Sequence, residues 1–167
     1  DFVEGLRSPV TYSIVFDSLA RKYGFVDQND VPMDDLAQEL TITLPDSCRP
    51  NSYSANFVFA DTTSFCGDIV VPVKFDVYYS SSIMDPKFDN LIAVLDREKN
   101  GGYDFISYQW YKNNELLEGE ISGYLYFEEG GVFDGDDCYH LVLKRADDGV
   151  VMRTCEICPN ATPVVDI

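Results

Sequence analysis

The sequence predicts an all-β chain that folds as two β-sandwich modules in tandem. Hydrophobic and polar residues alternate over most of the 167 positions, and this alternation is typical of half-buried strands. Clusters of glycine, asparagine, aspartate and serine separate the alternating segments, as turns do in sandwiches. Helical periodicity is almost absent. The hydrophobic fraction of 46% is sufficient for a packed core.

The charge of the chain excludes several kinds of partner. Its 29 acidic residues exceed its 12 basic residues, which gives a formal net charge of −17. Phosphate groups are bound by clustered lysine and arginine, so we expect neither nucleic acid nor an anionic membrane surface as a partner. No apolar run approaches the roughly 20 residues of a membrane-spanning helix, so we expect no membrane insertion.

Residues 1–82 are predicted to form the first module, a sandwich that carries one short helix. Pro72 predicts that the last strand of this module lies at a sheet edge or a bend. The helix is predicted over 17–23, where Asp17 or Ser18 can cap its start, and Gly24 suits the left-handed position after its end. A further short turn is predicted over 33–40. The predicted strands are 12–16, 40–44, 53–59 and 69–79.

Residues 83–160 are predicted to form the second module, after a short polar junction at 80–82. Turn signals rich in glycine and asparagine separate its short strands, which is the spacing of a sandwich. Residues 161–167 are predicted to be a tail or linker. The predicted strands are 90–96, 105–112, 121–127, 138–144 and 150–156.

The most specific local pattern surrounds the single tryptophan. The run Tyr-Gln-Trp-Tyr-Lys-Asn that contains Trp110 resembles strand C of immunoglobulin-like domains. The run before Leu141 resembles the start of their strand F, and it places Tyr139 at the tyrosine corner, whose hydroxyl bonds to the backbone. Leu141 takes the place of the second disulfide cysteine, and the presumed strand B, 91–95, contains no cysteine. The expected second module is therefore immunoglobulin-like without the inter-sheet disulfide, and an apolar pair lies beside Trp110.

A broader resemblance covers most of the chain. The runs 90–96, 100–103, 108–113, 123–126 and 145–149 are similar to the second half of paired immunoglobulin-like modules in large secreted or outer-surface proteins of Bacteroidetes. The runs 12–16, 24–25 and 41–61 are similar to the module that precedes it. The resemblance implies an extracellular or outer cell-surface location and a role as spacer or adhesion element. It implies as partners the neighbouring domains of the same polypeptide and a host or matrix protein or glycan. It transfers no catalytic residue.

Tyr124 and Tyr126 are the candidate ligand-binding residues. They are two positions apart in a predicted strand, so they share one face of it. Exposed together, they would stack on sugar rings or pack on a partner, which makes a carbohydrate-binding module the alternative function. Packing in the core or at an edge is the other interpretation of the same spacing.

Catalytic and metal-binding patterns are absent from the sequence, so we expect no enzyme, no cofactor and no resident metal. His140 is the only histidine and is predicted to be an ordinary surface residue of a strand. The sequences of a nucleophile elbow, a zinc protease and a phosphate-binding loop do not occur. Asp134, Asp136 and Asp137 form an acidic cluster, which is either a solvated loop or a set of oxygen ligands for Ca²⁺.

The cysteines leave their pairing open. Their number is odd, so at least one has no partner within the chain. The pair Cys155 and Cys158 has the spacing of a zinc half-site, for which Cys138 and His140 are the only further ligands nearby. The same spacing occurs in redox motifs, but those open a helix, whereas Pro159 and a polar tail follow here. Folding about the turn 147–149 brings Cys138 near Cys155 or Cys158, so a bridge to either is possible. The five cysteines are Cys48, Cys66, Cys138, Cys155 and Cys158.

Overall fold

The computed structural model describes residues 10–33, 39–61, 67–128, 133 and 136–159. In these residues the protein is mostly β, with three antiparallel sheets and one short α-helix. The chain divides into two compact units, Asp1–Val77 and Tyr78–Ile167. None of the helices described has the length and hydropathy needed to cross a membrane.

The first unit is built on one four-stranded antiparallel sheet. Its spatial order is β2-β1-β3-β4, so β4 is an edge strand and the prediction for Pro72 is confirmed. The described part of this unit contains one sheet, where the sequence predicted two facing sheets. Helix α1, Ser18–Lys22, follows the first strand. The strands are β1 Val10–Phe16, β2 Gln28–Met33, β3 Asn51–Asp61 and β4 Ile69–Val77.

The core of the first unit lies on one face of this sheet. Alternate residues of β1 are buried, as the period of two predicts. An aromatic cluster fills the centre, with ring centroids 5.0 Å apart for Phe16 and Phe25 and 5.8 Å apart for Tyr53 and Phe75. Such ring pairs contribute about 0.5–1.5 kcal/mol beyond the area that they bury.

Helix α1 begins and ends as the sequence predicts. The carboxylate of Asp17 accepts a hydrogen bond of 2.7 Å from the backbone N–H of Ala20, which satisfies one of the free donors of the first turn. Gly24 has a φ of +94°, a conformation that glycine adopts without steric cost. Ala20 is fully buried, so the helix rests on the core.

The strands of the first unit differ from the predicted ones in two places. Residues 40–44 are not a strand, and Leu40 and Ile42 pack on the core from an irregular segment instead. A strand also needs a neighbour to accept its hydrogen bonds, and alternation alone does not supply one. Strand β2 was missed because its sequence, which includes Pro32, has no hydrophobic alternation. The turn predicted at 33–40 falls largely outside the described residues.

The second unit contains two antiparallel sheets that share one core. Their orders are β5-β6-β9 and β11-β10-β7-β8. Ile92 and Leu125 from the first of these sheets lie in one buried cluster with Trp110, Leu141 and residues of the second. The strands are β5 Met84–Lys87, β6 Leu91–Val94, β7 Phe105–Lys112, β8 Glu115–Leu116, β9 Tyr124–Tyr126, β10 Tyr139–Arg145 and β11 Val151–Arg153.

All five strands predicted for this unit are present, although most of them are shorter at their ends. Strands β5 and β8 were missed because they are short and carry charged residues. Asn113 and Asn114 both have positive φ, 49° and 66°, between β7 and β8. This conformation matches the twist of a two-residue hairpin turn, and asparagine tolerates it.

The junction predicted at 80–82 lies within the second unit. Tyr79, immediately before it, is fully buried in the second core. Ser81–Ile83 then forms one turn of 3₁₀ helix that buries Ile83. The boundary between the units therefore falls earlier than the polar run, since the hydrophobic residues on both sides of the run belong to one core. The tail predicted at 161–167 lies outside the described residues.

The β10–β11 hairpin encloses a buried arginine. The guanidinium of Arg145 is fully buried and donates to both carboxylate oxygens of Asp148, at 2.9 and 2.7 Å. The ring of Tyr103 lies 5.7 Å from the guanidinium carbon. A planar guanidinium suits this two-point pairing, which stabilises the turn between the strands.

Candidate functional site

Trp110 lies at the centre of the second core. Its side chain is fully buried, and its indole N–H donates a hydrogen bond of 2.9 Å to the carbonyl oxygen of Ser122. Leu141 lies directly opposite Trp110 in the pairing of β7 with β10 and is also fully buried. In the other sheet, Ile92 of β6 is buried in the same cluster. Apolar side chains from both sheets thus form one core around Trp110.

Tyr139 is buried beside this centre. Its hydroxyl donates a long hydrogen bond of 3.5 Å to the carboxylate of Asp137. The rings of Phe133 and Phe127 meet the tyrosine ring edge-on, with centroids 5.2 and 6.2 Å away. The side chain therefore acts as packing for the core.

Tyr124 and Tyr126 lie on the outer side of strand β9. They are 54% and 49% exposed, whereas Leu125 between them is buried in the core. This alternation arises because successive side chains of a strand point to opposite faces. The interpretation of the two tyrosines as core residues is therefore wrong, and their rings are available to a partner.

The surroundings of the two tyrosines form a small, mixed surface that we call the tyrosine face. Cross-strand partners lie on the same side of a sheet, so Leu91 accompanies Tyr126 and Ala93 accompanies Tyr124. The next strand, β5, adds the ion pair of Asp85 and Lys87. The tyrosine face consists of Asp85, Lys87, Leu91, Ala93, Tyr124 and Tyr126.

Phe88 lies in the turn that joins β5 to β6. It is 87% exposed and has a φ of +58°, a conformation that is costly for a residue of its size. The turn is fixed to the end of β9, because Asn90 and Phe127 are joined by a backbone hydrogen bond of 2.9 Å. A third exposed aromatic side chain is thus held at the end of the sheet where Tyr126 lies.

The acidic cluster is described only in part, since Asp134 lies outside the described residues. The carboxylate of Asp137 is almost buried and contacts the ammonium of Lys112 at 2.5 Å and the amide of Asn113 at 2.8 Å. The hydrogen bond from Lys112 is the main cause that lowers the pKa of Asp137, and the bond from Asn113 adds to it. This carboxylate is thus already paired with the side chains of Lys112 and Asn113. Within the described residues, no group of three His, Cys, Asp or Glu could hold a metal ion.

His140 is buried, so its prediction as a surface residue is wrong. Its ring is 4% exposed and stacks on Tyr111 at a centroid distance of 4.8 Å. Its Nδ1 has no hydrogen-bond partner in the described residues and lies 4.0 Å from the carboxylate of Glu156. Burial, together with the nearby Arg153, lowers the pKa of His140, which keeps the ring neutral at pH 7.

The structure decides the pairing of the cysteines at the C-terminal end. Cys138 and Cys158 form a disulfide that closes the β10–β11 hairpin, and Cys155 is a free, exposed thiol. Of the two cysteines in the C-x-x-C sequence, Cys158 is therefore oxidised and Cys155 is reduced. Cys48 is a free thiol in the first unit, partly buried, and burial raises its pKa. Cys66 lies outside the described residues.

A cavity of about 350 Å³ lies in the first unit. Its walls include Phe16, Val26 and Ile42, and its main charged group is Asp27. Burial opposes the ionisation of Asp27, but the hydrogen bond from the N–H of Phe16 and the ion pair with Arg21 outweigh it and lower its pKa. Because the carboxylate already has these partners, the cavity points to no particular ligand.

Comparison with known proteins adds no relative to these observations. No protein-family model matches the sequence, no curated protein is significantly similar to it, and no solved structure is significantly similar to its fold.

Proposed function

We propose that this chain is a non-catalytic extracellular or cell-surface module of a larger protein, serving as a spacer and adhesion element. The observation that carries the proposal is the strand order of the second unit. The order β11-β10-β7-β8 corresponds to strands G, F, C and C′ of an immunoglobulin-like sandwich, and β5-β6-β9 corresponds to A, B and E. Many cell-surface domains share this architecture.

The central residues of the second unit support the same assignment. Trp110 lies in the strand that corresponds to C, and Leu141 opposes it from the strand that corresponds to F. Both side chains are fully buried in a core to which both sheets contribute. The second unit is in this proposal an immunoglobulin-like sandwich whose sheets are joined by apolar packing alone.

The disulfide supports the proposed location. Bridges of this kind form and persist in secreted and surface proteins, whereas thiols stay reduced in the cytosol. Cys138 and Cys158 lie on directly opposed positions next to the hydrogen-bonded pair of Tyr139 and Ile157. The net charge of −17 is also suited to a surface module, because mutual repulsion keeps such chains soluble and apart.

The location is tested by treating intact source cells with a protease that cannot enter them and following the chain with an antibody. We expect the chain to be cleaved from intact cells or to be found in the medium, with Cys138 and Cys158 oxidised. Detection only inside the cell, with both thiols reduced, would contradict the proposal.

Incubation with a panel of glycosides, esters and peptides tests whether the chain is non-catalytic. Turnover above background would refute that part of the proposal.

A carbohydrate-binding module is the second candidate function, and the exposure of Tyr124 and Tyr126 on one face favours it. Aromatic rings of this kind stack on the apolar faces of sugars. The test is a glycan array probed with the native chain and with a Tyr124→Ala, Tyr126→Ala variant. Tyr78→Ala, which removes an exposed tyrosine outside the tyrosine face, is the matched control. Silence of the native chain on the array would exclude this candidate.

A further inference from the structure

Strand β9 is an edge strand that lacks the usual protection. The three sheets have six edge strands among the described residues, and edges tend to be blocked by proline or charged side chains. Five of the six carry such residues, whereas β9 consists of Tyr-Leu-Tyr. The blocking residues include Pro32 in β2, Pro72 in β4, Pro86 in β5, Glu115 in β8 and Arg153 in β11.

The free backbone groups of β9 belong to the two tyrosines. Hydrogen bonds run from the N–H of Val94 to the carbonyl of Gly123, at 2.8 Å, and from the N–H of Phe127 to the carbonyl of Asn90. Hydrogen-bonded and non-hydrogen-bonded pairs alternate in an antiparallel ladder, so Leu125 also bonds to β6. The N–H and C=O groups of Tyr124 and Tyr126 therefore point away from β6, towards the open edge.

The side chains around this edge are aromatic and acidic. Tyr124 and Tyr126 are both exposed at the edge, and Phe88 is exposed in the adjacent turn. Glu128 is exposed and follows the strand two residues after Tyr126. An incoming strand thus meets the two exposed tyrosine rings and, near one end of β9, a carboxylate on a chain whose net charge is −17. The aromatic rings favour lysine and arginine because they attract cations over their faces, and the carboxylate favours them because its charge is opposite.

We propose that strand β9 binds an extended, lysine- or arginine-rich polypeptide segment as an added antiparallel strand. The proposal rests on the adhesion role given above and names the chemistry of the partner. Backbone bonds to Tyr124 and Tyr126 supply the common part of the affinity, and the side chains on alternate positions supply the selectivity. A second copy of this chain is a poor occupant, because two chains with a charge of −17 repel each other.

The test uses the whole chain, labelled with ¹⁵N, and an acetylated, amidated peptide of alternating lysine and valine. We expect saturable binding and slower hydrogen exchange at the amides of Tyr124 and Tyr126, because the added strand accepts their hydrogen bonds. The control peptide has glutamate in place of lysine, and we expect it to bind at least about tenfold more weakly. Equal binding of the two peptides, or no change at these amides, would overturn the proposal.

Two variants separate a backbone role from a ring role. Tyr126→Pro removes the outward N–H without removing a bond to β6, whereas Tyr126→Ala removes the ring and keeps the N–H. We expect the proline variant to weaken peptide binding about tenfold more than the alanine variant. Equal losses would indicate stacking on the ring, as a glycan site requires, and would overturn strand addition. If the proline variant does not fold, the exchange rates of the native chain decide the matter alone.

Sedimentation of the free chain completes the test. We expect a monomer whose Tyr124 and Tyr126 amides exchange rapidly before the peptide is added. A dimer with these amides protected would assign the edge to a second copy and overturn the proposal. Failure of the peptide to bind would leave the surface location and the disulfide untouched, so it is distinguishable from failure of the proposed function.

Discussion

The indole N–H of Trp110 donates a hydrogen bond of 2.9 Å to the carbonyl oxygen of Ser122. Trp110 belongs to β7 in one sheet, whereas Ser122 lies two residues before β9 in the other. The bond therefore ties the central side chain of the core to the segment that carries Tyr124 and Tyr126. The position of the tyrosine face depends on the same residue that fills the core.

Replacing Trp110 with phenylalanine tests this link. The change removes the donor to Ser122 and leaves space beside Leu141, so we expect the free energy of unfolding of the second unit to fall by about 2–4 kcal/mol. Urea unfolding followed by circular dichroism measures the loss. Ile106→Ala, which truncates an exposed side chain of the same strand, is the control and should change stability by less than about 0.5 kcal/mol. A loss as small as that of the control would contradict the central role of Trp110.

Removing the disulfide tests the closure of the β10–β11 hairpin. The bridge joins residues 20 positions apart, so replacing Cys138 and Cys158 with serine should destabilise the second unit by about 3 kcal/mol. The measurement is thermal or urea unfolding without reductant. Cys155→Ser is the matched control, since that thiol is free and exposed, and it should leave stability unchanged. If Cys155→Ser destabilised the chain as much as the double variant, the observed pairing would be wrong.

The buried guanidinium of Arg145 predicts different effects for its two aspartate neighbours. Asp148 accepts two short hydrogen bonds from it, whereas Asp147 is 56% exposed and 3.7 Å away. We expect Asp148→Asn to lower the free energy of unfolding by about 2–3 kcal/mol, because the remaining charge is buried and less well paired. Asp147→Asn is the control, with an expected loss below about 0.5 kcal/mol. Equal losses for the two variants would contradict the pairing.

His140 predicts a dependence of stability on pH. Its pKa in the folded chain is lowered from 6.5 by burial and by Arg153, against the opposing effect of Glu156. The unfolded chain therefore binds a proton more readily, so the stabilisation from neutral His140 is present above pH 6.5 and is lost as the pH falls below it.

Urea unfolding at about pH 7.5 and about pH 5.5 measures this effect. His140→Gln removes the titrating ring, so we expect the loss of stability on acidification to be smaller in this variant than in the native chain. An equal loss in both would assign the pH dependence to carboxylates and contradict the role of His140.

Local features of the fold were predictable from the sequence. The strands around Trp110 and Tyr139, the helix after Asp17 and the turn before Gly149 all follow from hydrophobic spacing, a capping side chain or a glycine. The prediction of a strand at 40–44 was wrong because strand formation there depends on a distant partner and not on local spacing alone. Its alternation is strand-like, but the described chain offers it no neighbouring strand to pair with.

The candidate site was predictable only as a pair of residues. Spacing placed Tyr124 and Tyr126 on one face, but it did not distinguish an inner face from an outer one. The open edge of β9 was not foreseen, because sheet order depends on which strands pair across long separations. The burial of His140 was missed for a similar reason, since Tyr111 and Glu156, which cover it, come from other parts of the chain.

The sequence by itself determined the β-rich character of this protein, the positions of most strands and turns, and the residues at the centre of the second core. These properties follow from side-chain period and backbone preference, which act over a few residues. Only the tertiary structure decided between Cys155 and Cys158 as the partner of Cys138. The backbone bonds between Tyr139 and Ile157 set the register there, and that register brings Cys158 opposite Cys138 and leaves Cys155 free.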